Sequence, residues 1–218
     1  MIDRIERTRI QHPESSIQNE SSGIEAALPE ITIDMDGVLC RPVTWINLVI
    51  SRDLERPLDL VGRERSASRS AAKRLVDGAL VRSLRYSWRP PLSGVSEGLA
   101  ALAEVRTLVL LSGRPESARP ETERWLERHQ VRQHFSQILL NDRGLPNASF
   151  KLLTIQERGS REHIDDDGRV AYFLARDAGL TVYLVSWLGN RGLSFPPTVQ
   201  RVRSLNEAAA RVSAKTKK

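Results

Sequence analysis

The sequence predicts an α/β fold: a parallel sheet covered on both faces by helices. Three observations lead there. Short, β-rich apolar runs alternate with segments of helical spacing. The chain of 218 residues is long enough for one such core plus a modest insert. Polar clusters follow the apolar runs directly, at Asp34 and Asp36, Ser112 to Arg114, Asn141 and Asp142, and Asp165 to Asp167. Strands alternating with helices make a parallel sheet. In such sheets the ligand lies off the carboxyl ends of the strands, which is where these clusters fall.

The elements follow in order. Residues 1–28 are polar, with serine, asparagine and glutamine in close succession, and read as a mobile arm. Ile31 to Ile33 is a short buried strand running into Asp34. Leu99, Ala100, Leu102 and Ala103 place a helix over Val95 to Val105. Thr107 to Leu111 is the second strand, ended by a loop at Ser112-Gly113-Arg114-Pro115. Glu116 to His129 reads as one helix with Trp125 and Leu126 inward. Gln137 to Leu140 is the third strand. Ser149 is a candidate N-cap for a helix starting near Phe150 and Lys151. His163-Ile164 is a brief fourth strand. Val170 to Ala178 is a helix stopped by Gly179. Thr181 to Trp187 is a fifth strand, Asn206 to Val212 a last helix, and 214–218 a basic tail.

Composition excludes several classes. The sole cysteine, Cys40, allows no disulfide scaffold and no cysteine-rich zinc module. No apolar run approaches the ~20 residues of a membrane helix. The first residues carry no apolar stretch behind their charges, so no secretory signal is read. A soluble, cytoplasmic protein without a membrane partner is expected. There is no GxxxxGK[ST] and no GxGxxG, which removes the usual phosphate-loop signatures.

The clustered residues suggest a chemistry. Asp34 and Asp36, two apart just past a strand, can share a divalent cation or divide the work, one attacking while the other handles protons. Gly37 lets the chain turn sharply; a solvated Asp-Gly turn is the plain alternative. Ser112, Gly113 and Arg114 offer a hydroxyl, free amides and a cation suited to phosphate oxygens. Asn141 sits on the same edge. Lys151, near a helix start, puts both its charge and the backbone amides toward an anion. Asp165, Asp166 and Asp167 repel one another unless a cation relieves them. Oxygen-only donors favour a hard ion such as Mg²⁺ over zinc. The four histidines have no convincing ligand spacing, and Cys40 reads as a small buried residue.

Taken in order, Asp34-Met-Asp36-Gly-Val-Leu, Ser112-Gly-Arg, Lys151 and Asp165-Asp166 resemble the four motifs of the haloacid dehalogenase superfamily, over roughly residues 29–210. The resemblance implies a three-layer, Rossmann-like core and a phosphatase, with a non-catalytic phosphate-ligand binding protein of the same fold as an alternative that the pair Asp34 and Asp36 argues against. It makes Asp34 the nucleophile, taking the phosphoryl group as an aspartyl-phosphate. Asp36 would protonate the leaving group and then activate water. Ser112 and Lys151 would hold the phosphoryl oxygens. Mg²⁺ would sit on Asp34, the Asp36 backbone carbonyl and Asp166, with Asp165 or Asp167 orienting the site. The true dehalogenases of that superfamily lack the second acid and use no metal, so Asp36 points away from dehalogenation.

The core then occupies 29–40 and 92–213, leaving 41–91 as a small, mostly helical cap with helices expected over 44–54 and 66–84. That insert holds eleven basic and five acidic residues, so its net charge of +6 equals that of the whole chain. A basic lid suits a small phosphorylated substrate, with nucleotides favoured and nucleic-acid ends as the alternative. An arginine-rich solvated helix face would give the same count. The run Ser112-Gly-Arg-Pro-Glu116 with Thr122-Glu-Arg-Trp-Leu126 is similar to phosphatase domains acting on polynucleotide ends and to some nucleotidases.

Overall fold

A computed structural model describes residues 27–41, 54, 56–60 and 86–216. The expected arm before residue 27, the two cap helices and the last two residues of the tail lie outside the described residues. Six strands form one sheet: β1 (Glu30–Ile33), β2 (Thr107–Pro115), β3 (Phe135–Asn141), β4 (Glu162–Asp165), β5 (Thr181–Val185) and β6 (Val199–Val202). Their order is β3-β2-β1-β4-β5-β6 and every pairing is parallel. Among the described residues five α-helices accompany them: α1 (Val95–Ala103), α2 (Arg119–Arg128), α3 (Asn147–Arg158), α4 (Gly168–Asp177) and α5 (Leu205–Thr216). This is the three-layer, Rossmann-like α/β architecture expected from the sequence.

Period-two alternation sorts the strand side chains between the layers. Ile31, Ile33, Leu108, Leu110, Ile164 and Tyr183 face the layer built by α1, α2 and α5, where Leu99, Trp125, Leu126, Ala208 and Val212 close the larger core. Leu111, Val182 and Leu184 face the layer of α3 and α4, against Phe150, Ile155, Val170 and Leu174. The central strands β1 and β4 lie side by side, with Thr32 opposite His163 and Ile33 opposite Ile164. Their carboxyl ends therefore deliver Asp34 and Asp165 to adjacent positions on one edge.

Several boundaries differ from the sequence expectation, each for a local reason. β2 does not stop at Leu111; it stays extended to Pro115, with an irregular register between Ser112 and Pro115 before Pro115 pairs with Asn141. Glu116 to His129 is two elements, a 3₁₀ turn at Glu116–Ala118 and then α2, because Pro120 sits in the first turn, where its missing N–H costs nothing. The third helix starts at Asn147 rather than near Phe150, with Pro146 in the cap position and no side-chain cap. Ser149 is thus inside the first turn, and its buried hydroxyl has no partner among the described residues. β5 ends at Val185, two residues before Trp187. The short edge strand β6 was not foreseen: four residues beside two prolines carry too little alternation to register.

Candidate active site

Asp34 follows β1 directly, and its backbone N–H donates to the Ile164 carbonyl at 2.9 Å, stitching it to β4. Its side chain is 7% exposed. Lys151, wholly buried on α3, places Nζ 2.7 Å from Asp34 Oδ1 and 2.7 Å from Asp165 Oδ2. Lys151 therefore stands in the second turn of its helix, so its contribution is its charge rather than the free amides of a helix start. Burial pushes its pKa down, and Asp165 and Asp34 more than reverse this, holding the ammonium charged.

The three consecutive aspartates have three different environments. Asp165 accepts from Lys151 and from His163 Nε2 (2.8 Å) on Oδ2, and from the Asp167 backbone N–H (2.9 Å) on Oδ1. Burial would raise its pKa, but Lys151 and His163 hold it well below the usual carboxylate range. Asp167 caps α4, accepting from the N–H groups of Arg169 (2.8 Å) and Val170 (3.4 Å), and also takes a long contact from Asn147 Nδ2. Asp166 is buried, and its carboxylate has no hydrogen-bond or ion-pair partner among the described residues. Burial and the charges of Asp165, Asp34 and Asp167 push its pKa far up. Only its backbone is held, its carbonyl accepting from Trp187 Nε1 at 2.9 Å and Asn190 Nδ2 at 3.0 Å.

Asp34, Asp165 and Asp166 each bring an oxygen within 4.8 Å of the others. The three carboxylates with Lys151 leave a local charge of −2, which a divalent cation would balance. The donors are all oxygen, as a hard cation requires. Asp34 shows the strain of the uncompensated arrangement: burial, with Asp165 and Asp36 nearby, pushes its pKa up to about 7 despite Lys151. Gly37, at φ +90°, packs against Asp166 so closely that a Cβ there would lie 1.9 Å from Asp166 Oδ2. Glycine is needed at this position both for the backbone and for the carboxylate.

Asp36 is separately held. Arg114 grips it in a fork, Nε to Oδ2 at 2.9 Å and Nη2 to Oδ1 at 2.6 Å, and Arg89 Nη1 and the Cys40 thiol also reach Oδ1. Burial works to raise its pKa, but the charge and hydrogen bonds of Arg114, then Arg89, hold it well below the usual range. Arg114 is itself fixed by Thr122 Oγ1 (3.2 Å) and lies over the Tyr86 ring. Cys40 is fully buried, and its pKa is pushed up, first by burial and then by Asp36.

Among the sequence-derived candidates, Asp34, Lys151, Asp165 and Asp166 meet in one cluster. Arg114 meets Asp36 rather than lying open to a ligand. Ser112 is buried, its Oγ accepting from the Arg114 N–H at 3.3 Å. Gly113 abuts Asn147, whose Oδ1 a Cβ would approach to 2.2 Å. Asn141 turns to its own loop, donating Nδ2 to the Leu145 carbonyl at 2.6 Å, while its buried Oδ1 has no partner among the described residues. Sequence reasoning missed Arg89, His163, Trp187 and Asn190. The first three sit one or two residues from features already noted, but only the fold shows what they touch.

No family model matches the chain, and no curated protein matches it. Solved structures do. YfnB from Bacillus subtilis, a HAD-hydrolase bound to magnesium, aligns at TM-score 0.58 and 13% identity, over 86% of this chain and 99% of that one. The L-2-haloacid dehalogenase of Xanthobacter autotrophicus aligns at 0.52 and 12%, over 85% and 98%. A chain of the Pnkp1/Rnl/Hen1 RNA repair complex gives 0.49 and 16%, over 75% of this chain but only 44% of that one. The chain thus has the fold of the haloacid dehalogenase-like hydrolases, with a buried acidic cluster at the carboxyl edge of its sheet.

Proposed function

We propose that the protein is a Mg²⁺-dependent phosphatase that hydrolyses a phosphomonoester through an aspartyl-phosphate on Asp34, with a nucleotide as the favoured substrate type. The observation that carries this reading is the division of cations among the carboxylates: Lys151 on Asp34 and Asp165, two arginines on Asp36 and, among the described residues, none on Asp166. Asp34, Asp166 and the Asp36 backbone carbonyl would hold Mg²⁺, with Asp165 committed mainly to Lys151. When bound, the ion supplies the positive charge that lets a carboxylate approach a phosphoryl dianion.

Asp34 attacks phosphorus; its Oδ–P bond forms as the ester P–O bond breaks, and the leaving oxygen takes a proton from Asp36. Water then attacks the phosphoryl group, returning a proton to Asp36 and freeing Asp34 and phosphate. Lys151 stays beside Asp34 throughout, and the Ser112–Gly113 segment faces the phosphoryl oxygens. Asp36 is ionised within its arginine fork, which suits the water-activating half. Donating a proton in the first half requires Arg114 and Arg89 to loosen, and the incoming phosphoryl oxygens are a competing anion for both. The presence of Asp36, and an Asp166 carboxylate without a partner among the described residues, favour this reading over metal-free dehalogenation.

The test is phosphate release across nucleotides, sugar phosphates and end-phosphorylated oligonucleotides, with Mg²⁺ and with chelator. Mg²⁺-dependent turnover that vanishes in Asp34→Asn supports the reading; turnover retained by Asp34→Asn overturns it. The +6 charge of the insert favours, as a second reading, action on nucleic-acid ends. In that case oligonucleotides outpace mononucleotides and the rate falls steeply with salt.

A further inference from the structure

We propose that His163 is a positioning residue for Lys151, acting through Asp165. Thr32 and His163 are directly paired across β1 and β4, and Asp34 and Asp165 each lie two residues further on. With period-two alternation these four side chains form a polar block on the face beneath α3, a layer otherwise closed by leucine, valine and phenylalanine. His163 is 0% exposed. Its Nε2 lies 2.8 Å from Asp165 Oδ2; its Nδ1 lies 2.7 Å from Thr32 Oγ1 and 3.1 Å from the Thr32 carbonyl.

An ionised carboxylate only accepts, so Nε2 carries the proton shared with Asp165, and the Thr32 hydroxyl can serve Nδ1. An imidazole buried in an apolar layer is costly unless its bonds fix something. What these bonds fix is the Asp165 carboxylate. Its Oδ2 is filled by His163 and Lys151, its Oδ1 takes the Asp167 N–H, and the plane has no freedom to turn. Lys151 Nζ is then kept equidistant from Asp34 and Asp165. Without His163, Asp165 can rotate toward its acidic neighbours and draw the ammonium off Asp34.

The kinetic consequence rests on the phosphatase reading; the geometric one does not. The experiment compares His163→Leu and His163→Gln, the glutamine keeping a donor near the Nε2 position. The first readout is the ¹⁵Nζ NMR signal of Lys151, assigned by its loss in Lys151→Arg and expected to exchange slowly because Nζ is enclosed by two carboxylates. His163→Leu is expected to shift that signal and speed its exchange, and His163→Gln to restore it. The second readout is steady-state kinetics, where His163→Leu lowers kcat about 10–100-fold, the usual range for partners of site ligands, with KM little changed. Glutamine recovers most of kcat. A Lys151 signal that is unprotected in the parent, or unchanged in His163→Leu, overturns the proposal whatever the activity. If His163→Leu does not fold, Thr32→Val decides, since it removes the hydroxyl partner of Nδ1 at nearly constant volume and leaves only the Thr32 carbonyl beside it; an unchanged signal there also overturns it. A parent without phosphatase activity sinks the proposed function while the NMR comparison still decides the role of His163.

Discussion

Replacing Asp34 by asparagine should make the metal-free protein more stable while abolishing turnover. The Asp34 pKa rises from an ordinary 3.8 to about 7, first through burial and then through its acidic neighbours. Between those values the folded protein keeps a proton that the unfolded chain has lost. Stability is therefore unaffected below pH 3.8, falls as pH rises through this window, and stays low above about 7. At 1.36 kcal/mol per pH unit, a shift of about three units costs roughly 4 kcal/mol. Asparagine cannot ionise and escapes that cost, which for a chain of this size is on the order of 10 °C in Tm. Scanning calorimetry in chelator from pH 4 to 8.5 checks this. The two proteins should melt together at the acid end and separate progressively toward neutrality. Added Mg²⁺ should raise the parent and close the gap, because it relieves the same repulsion and binds only the folded state. Parallel melting curves across the whole range would refute the claim that Asp34 sits in an uncompensated acidic cluster.

Three further outcomes follow from the same geometry. Lys151→Met leaves Asp34 and Asp165 without their cation and should cost about 3–5 kcal/mol near neutral pH in chelator. The loss should shrink toward pH 4, as measured by denaturant unfolding at both pH values, because Asp165 is held low largely by Lys151. Gly37→Ala forces a Cβ onto Asp166 Oδ2 at φ +90° and should cost on the order of 1–3 kcal/mol while removing the Mg²⁺-induced rise in Tm; a retained rise counts against Asp166 as a cation ligand. Arg89→Met removes one of the two cations on Asp36, so the Asp36 pKa should climb back toward the usual range. The acid limb of the pH profile of kcat/KM should move upward with it, and an unmoved limb would show that Asp36 is not the titrating group.

The parts of the site that the sequence disclosed are those set by local pattern. Asp34, Ser112, Asn141 and Asp165 each follow an apolar run, and the rule that ligands lie off strand ends gathers them without any distance being known. What escaped is set by pairing across the fold. What Arg114 holds is hidden because nothing nearby in the chain shows that Asp36, 78 positions away, takes both arms of its fork. His163 carries no ligand spacing, and its role comes from lying opposite Thr32 in the β1–β4 register. The roles of the three aspartates also could not be separated by spacing. A helix terminus for Asp167, a lysine for Asp165 and the lack of any carboxylate partner among the described residues for Asp166 assign them, and none of these is visible in the run itself. Lys151 was read as sitting at a helix start because Ser149 looked like a cap; Pro146 begins the helix earlier and moves the lysine inward.

The insert needs a similar revision. Its net charge of +6 suits a basic lid whose arginines face substrate. Arg89 does not: its side chain is 11% exposed and bound to Asp36, while its carbonyl accepts from Trp125 Nε1 at 2.7 Å. At the other described stretch, the carbonyls of Arg56 and Pro57 accept from Arg169 at the start of α4, at 2.7 and 3.1 Å. The described residues of 41–91 are therefore tied to the core at two places, Arg89 to α2 and Arg56 and Pro57 to α4. One tie ends on the second acid itself. Any displacement of residues 86–91 acts directly on Arg89, one of the two cations that keep Asp36 ionised. The charge of Arg89 consequently bears on the protonation of the site.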